Sequence, residues 1–396
     1  MLLPVIGLAL FMAGEGLEAG YLTRVLHDHG FAYRSVSLLL ASYGLTASIA
    51  AALAAVLVTR YGVRAMVLTG AVLWIALDVV FLAALPSGQD ALICAAYIAR
   101  AFAYPLVAYG YLAHLTLAGS RQGLGRRLGW YWVGFTGGFP VLGAALGAWL
   151  IPRLGAVAAL WWMIAVVACG ALVLRAGLPA APPGRGRGAG RPRPWRSLRV
   201  VRDHPAVSWG CAVRLADTSP QYGFTVLLPV FFMDEIGLSA REWLITLAAM
   251  FAANLVMNPV FGAVSDRIGW RTTIAYFGGL GCAVAAAGLY VLPTLQPGVV
   301  VSAAAAAAYG AMLAAYVPIS ALVPRLCPPE RGPDALAVTN ISAGAATVFG
   351  PVTVGLLLPL TGAAGCLLVF AGMHAVSALI ARRLREWAPV PAPVAA

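Results

Sequence analysis

GAVSDRIGWR, residues 262–271, is a short polar interruption between two oily runs, and it has a counterpart far upstream. In AAVLVTRYGVRAMVL, residues 54–68, Arg60, Gly62 and Arg64 fall in register with Arg267, Gly269 and Arg271. Each copy joins two apolar stretches of the length that crosses a bilayer, about 20 residues. The chain therefore repeats a membrane hairpin. A second pair supports the repeat: GFTGGFPVLGAALG (134–147) against ATVFGPVTVG (346–355). In both, small residues permit close helix contact, and Pro140 or Pro351 interrupts the backbone ladder.

Working outward, apolar spans fall at 2–25, 36–58, 65–86, 91–117, 129–152 and 156–177. They resume at 206–232, 240–263, 272–293, 299–323, 335–358 and 364–381. Between the sets lies PAAPPGRGRGAGRPRPWRSLRVVRDHP (179–205), too rich in Pro, Gly and Arg to build a core. The expected fold is all-α and integral to the membrane, with twelve transmembrane helices in two pseudo-symmetric six-helix halves. The halves are 1–177 and 206–396, with 178–205 as a linker.

Composition agrees. Of 396 residues, 61% are hydrophobic and 10% charged, against about 25% charged in soluble domains. The net charge of +12 comes from 26 arginines with no lysine, set mostly between the apolar runs. Such placement marks topology and not nucleic-acid binding. With the N-terminus inside, the cytoplasmic segments hold Arg60, Arg64, Arg121, Arg126, Arg127, the linker cluster, Arg267, Arg271, Arg325, Arg331, Arg382, Arg383 and Arg385. The opposite side has Arg24, Arg34, Arg153 and Arg241. Both termini are expected in the cytoplasm of a bacterium, the chain spanning its inner membrane. The first span lacks a basic leader and a small-residue cleavage site, so it reads as a retained helix. The six cysteines show no metal-ligand spacing and read as small buried hydrophobes.

The repeated loop carries a resemblance. Gly262, Asp266, Arg267, Gly269 and Arg271 are similar to the loop signature of the major facilitator superfamily, and the Gly/Pro stretches resemble its helix-5 signature. The first copy departs from the signature, with Ala55 and Thr59 at the first Gly and the Asp positions. The resemblance implies a gating loop formed by Arg60, Gly62, Arg64, Gly262, Asp266, Arg267, Gly269 and Arg271. FMAGEGLEAGYLT (11–23), ARAFAYPLVAYGYL (99–112), VRLADTSPQYGFTVLLPVFF (213–232), REWLITLAAMFAANLVMNPVFG (241–262) and YVPISALVP (316–324) resemble the polyol permease group, which includes ribitol and D-arabinitol carriers. Glu15 and Asp217 depart from it, standing where Asp and Asn are expected.

Within the spans lie Glu15, Glu18, Asp78, Arg100, Arg214 and Asp217. An ionised side chain at the bilayer centre costs about 2.5–3.5 kcal/mol on insertion scales, so such residues mark function or pairing. Glu15 and Glu18 share a helix face, as do Arg214 and Asp217, with Gln221 one turn further. Four acids against two arginines leave two uncompensated negatives, and a poorly hydrated cavity favours neutral carboxyls. A coupling proton is expected on Glu18, Glu15 or Asp78. Glu18 lies nearer the outer end and is favoured as carrier, with Glu15 as acceptor for substrate.

Substrate contacts are expected from Glu15, Arg100, Tyr104, Arg214, Asp217, Gln221, Asn254 and Tyr316, whose side chains can meet a polyhydroxylated solute. Tyr104-Pro105 and Tyr316-Val317-Pro318 read as bends in helices 4 and 10, and His374 as a packing or lipid-interface residue. No nucleophile triad, metal cluster or nucleotide loop is visible, so an enzyme and a cofactor are not expected. The expected function is proton-coupled uptake of a small polyol or similar polar solute by alternating access. The alternative is export of a polar metabolite, a carboxylate siderophore or a drug, since two arginines suit an anionic cargo. The expected partners are a small-molecule substrate, a proton and membrane lipid, for a monomer that binds no nucleic acid.

Overall fold

Backbone polar groups find no water inside a bilayer, so apolar spans of this length close their hydrogen bonds internally as helices. The computed structural model describes residues 2–118, 124–178 and 198–385, and no strand occurs among them. In the first half the helices are α1 (Leu2–Asp28), α2 (Tyr33–Tyr61), α3 (Val63–Ala84), α4 (Asp90–Arg100 continued by Ala103–Ala118), α5 and α6 (Ala156–Gly177). Helix α5 runs as Leu124–Thr136, a π-helical stretch Gly137–Leu142 holding Pro140, and Gly143–Leu154. Helix α7 is Pro205–Pro229 followed by a π-helical Val230–Glu235, and α8 is Ala240–Ile268. Helix α9 runs from Trp270 to Leu295 through a π-helical Ile274–Gly281. Helix α10 is Val299–Leu313, after which two 3₁₀ turns and the α-helical turn Ile319–Leu322 between them carry the chain to Leu326. The run Gly332–Arg383 breaks at Gly362 (φ 64°), giving α11 before it and α12 after.

Twelve long helices result among the described residues. Helix α7 carries Arg214 and Asp217 within its span. The bends expected near Pro105 and Pro318 appear as the break at Ala101–Phe102 and the 3₁₀ turn Ala314–Tyr316. The expected linker falls mainly on residues 179–197, outside the described residues. Its end differs from expectation: Arg199–Asp203 forms a short helix that buries Val200 completely. Ser208 donates to the Val201 carbonyl at 2.7 Å, and Arg331 pairs with Asp203 at 3.3 Å, so this end of the linker packs on the second half.

Glycine sets how closely helices approach. A Cβ on Gly16 would overlap the Phe139 carbonyl of α5, and one on Gly350 of α11 would overlap the Ser219 carbonyl of α7. The Gly/Pro repeat thus plays one packing role in both halves. The loop repeat is equally symmetric. Gly62 (φ 82°, ψ 154°) and Gly269 (φ 92°, ψ 144°) adopt the same left-handed turn, which a side chain would strain.

The halves meet along α2 and α11, where Ser48 donates to the Gly344 carbonyl at 3.3 Å. They also meet along α5 and α8, where Gly147 of α5 faces Leu244 of α8. At one end the seam is tightly bonded. Thr23 donates to the Thr225 carbonyl and the Trp243 indole to the Gly20 carbonyl, both at 2.8 Å. Arg24 pairs with Asp28 (2.9 Å) and with Asp234 across the seam, and Tyr33 donates to Asp234 Oδ2. At the opposite end, which carries Gly62 and Gly269, Asp266 is exposed and forms no ion pair among the described residues.

Candidate functional site

In α1, Gly14 abuts Val167 of α6, Gly16 abuts Phe139 of α5 and Gly20 faces Leu244 and Leu247 of α8. Glu15 and Glu18 are met by α2, α3 and α4 instead. Arg100, the last residue of the first segment of α4, is fully buried between two carboxylates. Its Nη1 and Nη2 donate to the two oxygens of Glu18, and Nη1 also reaches Asp78 Oδ1. The guanidinium carbon lies 4.8 Å from the Trp74 ring centroid and 4.9 Å from that of Tyr97. A buried charge is tolerated when paired and hydrogen-bonded, and the planar fork of arginine supplies both. Its Nε has no partner.

Glu15 is held differently. Tyr43 donates to one carboxylate oxygen and the Trp74 indole to the other, both neutral donors. No arginine hydrogen-bonds Glu15 among the described residues. Three carboxylates therefore surround one guanidinium in α1–α4, and the third depends on uncharged partners. From Tyr43 a row of tyrosines extends: Tyr97 lies tilted against it at 4.6 Å between centroids, Tyr104 stacks at 6.2 Å, and Tyr109 follows Tyr104 at 6.4 Å.

In the second half, Arg214 Nη1 donates to Asp217 Oδ2 at 3.0 Å across one turn of α7, the pairing that the spacing predicts. The pair is unequal: the arginine side chain is 29% exposed and the aspartate side chain 2%. Asp217 Oδ1 is buried without a hydrogen-bond partner. Gln221, one turn further, is half-buried and the neighbouring Tyr222 is exposed.

Two expected substrate contacts are occupied elsewhere. The amide of Asn254 donates to the Gly310 carbonyl at 3.1 Å and ties α8 to α10. Tyr316 is buried inside the second half, its hydroxyl bonded to His374 Nδ1 (3.1 Å) and Ser377 Oγ (2.5 Å). His374 lies at no lipid interface: it is fully buried, and Tyr309 bonds its Nε2 at 2.9 Å. The sequence reading missed this Tyr309–His374–Tyr316–Ser377 cluster. Tyr309 and Tyr316 stand two helical turns apart, which is the signal that could have joined them.

At the repeated loops, Arg271 donates to the Leu384 carbonyl at 2.6 Å and Arg325 lies 4.2 Å from the Trp270 ring centroid. Arg60 stacks over Tyr61, Arg64 Nε is buried without a partner, and Arg267 is exposed. Gly262 is half-buried and open on its Cβ side.

Two helical halves in pseudo-symmetry, with ionisable residues buried in the first helix of each, define a secondary transporter that spans the membrane many times. The chain belongs to the major facilitator superfamily, whose family model matches residues 5–319 and 223–396. It is 34% identical over 388 residues to the alpha-ketoglutarate permease of Bacillus subtilis (strain 168), covering 96% of this chain and 88% of that one. It is 28% identical over 399 residues to the ribitol transporter of Klebsiella pneumoniae, covering 97% and 91%. This places it among transporters resembling the polyol permeases. Its fold matches a bacterial homologue of the human lysosomal transporter Spinster, solved inward-facing and occupied, with a TM-score of 0.76 at 13% identity over 98% of each chain.

Proposed function

We propose that this transporter takes up a small polyol or similar polar solute together with a proton, by alternating access between its halves (1–177 and 206–396). One observation carries the reading: Glu15 is a buried carboxylate held only by neutral donors, beside an arginine already shared by Glu18 and Asp78. A carboxyl of this kind can gain or lose a proton without breaking an ion pair. Glu15 is accordingly assigned as the proton carrier and Glu18 as the anchor of Arg100, an exchange of the roles that position along α1 favours. Substrate hydroxyls are assigned to Tyr104, Arg214, Gln221 and the free oxygen of Asp217. The ribitol transporter of Klebsiella pneumoniae supports a polyol substrate.

The proposed setting is the bacterial cytoplasmic membrane, with both termini and the Gly62/Gly269 end inside. The bonded end then faces outward, so this state is closed to the exterior. Uneven placement of the arginines supports that orientation.

A second reading, transport of a small dicarboxylate, is favoured by the partly exposed Arg214 and by the relative named alpha-ketoglutarate permease. One experiment decides both. Proteoliposomes with an imposed pH gradient are offered labelled ribitol, D-arabinitol or 2-oxoglutarate. The proposal expects accumulation of a polyol by wild type, and its loss in Glu15→Gln with exchange of internal for external solute retained. Accumulation by Glu15→Gln equal to wild type would remove Glu15 from coupling. Accumulation of 2-oxoglutarate alone would select the second reading.

A further inference from the structure

Where α5 of one half meets α8 of the other, near the bonded end, the seam opens into a cleft of about 250 Å³. Its deeper part is apolar, lined by Ala145 and Ala148 from α5 and Ile245 from α8. Toward the helix ends it is lined by Trp149, Arg153 and Arg241. Arg153 donates to the Trp149 carbonyl at 2.6 Å and lies 4.7 Å from that indole's ring centroid, so it is held against its own helix. Arg241 precedes Glu242, whose carboxylate is taken up by Ser239 in the capping box of α8. Neither arginine forms an ion pair among the described residues.

Two like charges from opposite halves thus line one cleft that contains no acid. An anion lying in the cleft would be attracted by both. A bare anion would use only the arginines and leave the apolar depth empty. A lipid would use both parts, and Trp149, 56% exposed, has the indole that favours the headgroup level of a bilayer. We propose that this cleft binds an anionic phospholipid, with the phosphate bridging Arg153 and Arg241 and an acyl chain lying along Ala145, Ala148 and Ile245. The bound lipid joins the halves at the α5–α8 seam.

The test is native mass spectrometry of the purified full chain titrated with phosphatidylglycerol or phosphatidylcholine. Wild type is expected to retain phosphatidylglycerol in preference to phosphatidylcholine. Arg153→Gln/Arg241→Gln should lose its tightest phosphatidylglycerol, with affinity falling roughly tenfold or more. Arg153→Lys/Arg241→Lys should keep it, and Arg34→Gln, on the same side but outside the cleft, should behave as wild type. All three positions are exposed side chains, so folding is checked by thermal stability before titration. Equal retention by the double glutamine variant would overturn the proposal. So would equal thermal stabilisation of wild type by inorganic phosphate, which would mark a free-anion site. Lipid retention is read without any solute, so its failure is separate from that of the transport reading.

Discussion

The hydroxyl of Tyr33 and Oδ2 of Asp234 meet at 2.6 Å, although 201 residues separate them and they belong to opposite halves. Arg24 reaches the other oxygen of the same aspartate, and His27 stacks on Tyr33 with centroids 4.1 Å apart. Asp234 is therefore one fastening point of the bonded end, beside Thr23 and Trp243. Asp234→Asn should weaken this closure while leaving each half intact. A loss of about 1 kcal/mol, typical for a partly exposed polar contact, shifts a two-state population roughly fivefold. A cysteine placed at Gln221 should then react several times faster with an impermeant reagent added outside. An unchanged rate would show that Thr23, Trp243 and the packing hold the end shut without Asp234.

Arg100 tests whether geometry or charge matters in the first half. Lysine keeps the charge but cannot bond both oxygens of Glu18 and reach Asp78 while stacking on Trp74. Arg100→Lys should reach the membrane and lose most of its transport. Arg100→Gln leaves carboxylates buried without a cation, which typically costs about 3–5 kcal/mol, and should lower the yield of folded protein. Normal uptake by Arg100→Lys would reduce Arg100 to a counter-charge.

The pair in α7 separates folding from binding. Arg214→Gln strands the buried Asp217, so the folded yield should fall. Arg214→Gln/Asp217→Asn removes both charges and should recover the yield, as judged by size-exclusion profile. If the double variant also transports normally, the pair serves structure alone, and the substrate role given to Arg214 and Asp217 is wrong.

Gly16 makes a prediction about packing. Its missing Cβ is what lets the Phe139 carbonyl of α5 lie against α1. Gly16→Ala must push the helices apart, and overpacking of this kind costs about 1–3 kcal/mol or more. The melting temperature of the purified protein should drop clearly. Gly129→Ala, in the same half but with open space at its Cβ position, should leave it unchanged.

Topology is checked with single cysteines in a background lacking the native six. A probe at Pro86 should label from outside intact cells, and one at Arg187 should label only after permeabilisation. The reverse pattern would invert the proposed orientation and the direction assigned to the closed end.

Much of this was legible in the sequence because a bilayer admits few solutions. Apolar length gave the helices, and the matched Arg60–Gly62–Arg64 and Arg267–Gly269–Arg271 runs predicted two equivalent turns. The deep charges of α1, α3 and α4 had to find one another, and Arg214 with Asp217 followed from helical spacing. What stayed hidden was direction. On a helix apolar all round, periodicity does not say which face meets protein, so Tyr316 and His374 could not be placed in the interior of the second half. An amide is equally ambiguous, and Asn254 proved to join two helices. The contact of Tyr33 with Asp234 was beyond reach, since it exists only after the halves are brought together.

The crowding of three carboxylates around one guanidinium has an electrical consequence. When all are ionised, α1–α4 carry excess negative charge within the span of the membrane, and protonation of Glu15 removes one unit of it. In the proposed cycle that charge shifts within the transmembrane field as the halves rock. One elementary charge crossing the full field gains about 2.3 kcal/mol per 100 mV. A cycle that imports a neutral solute with one proton therefore draws on voltage as well as on the pH difference. An interior-negative potential alone should drive a transient current on addition of solute, and in Glu15→Gln that current should vanish.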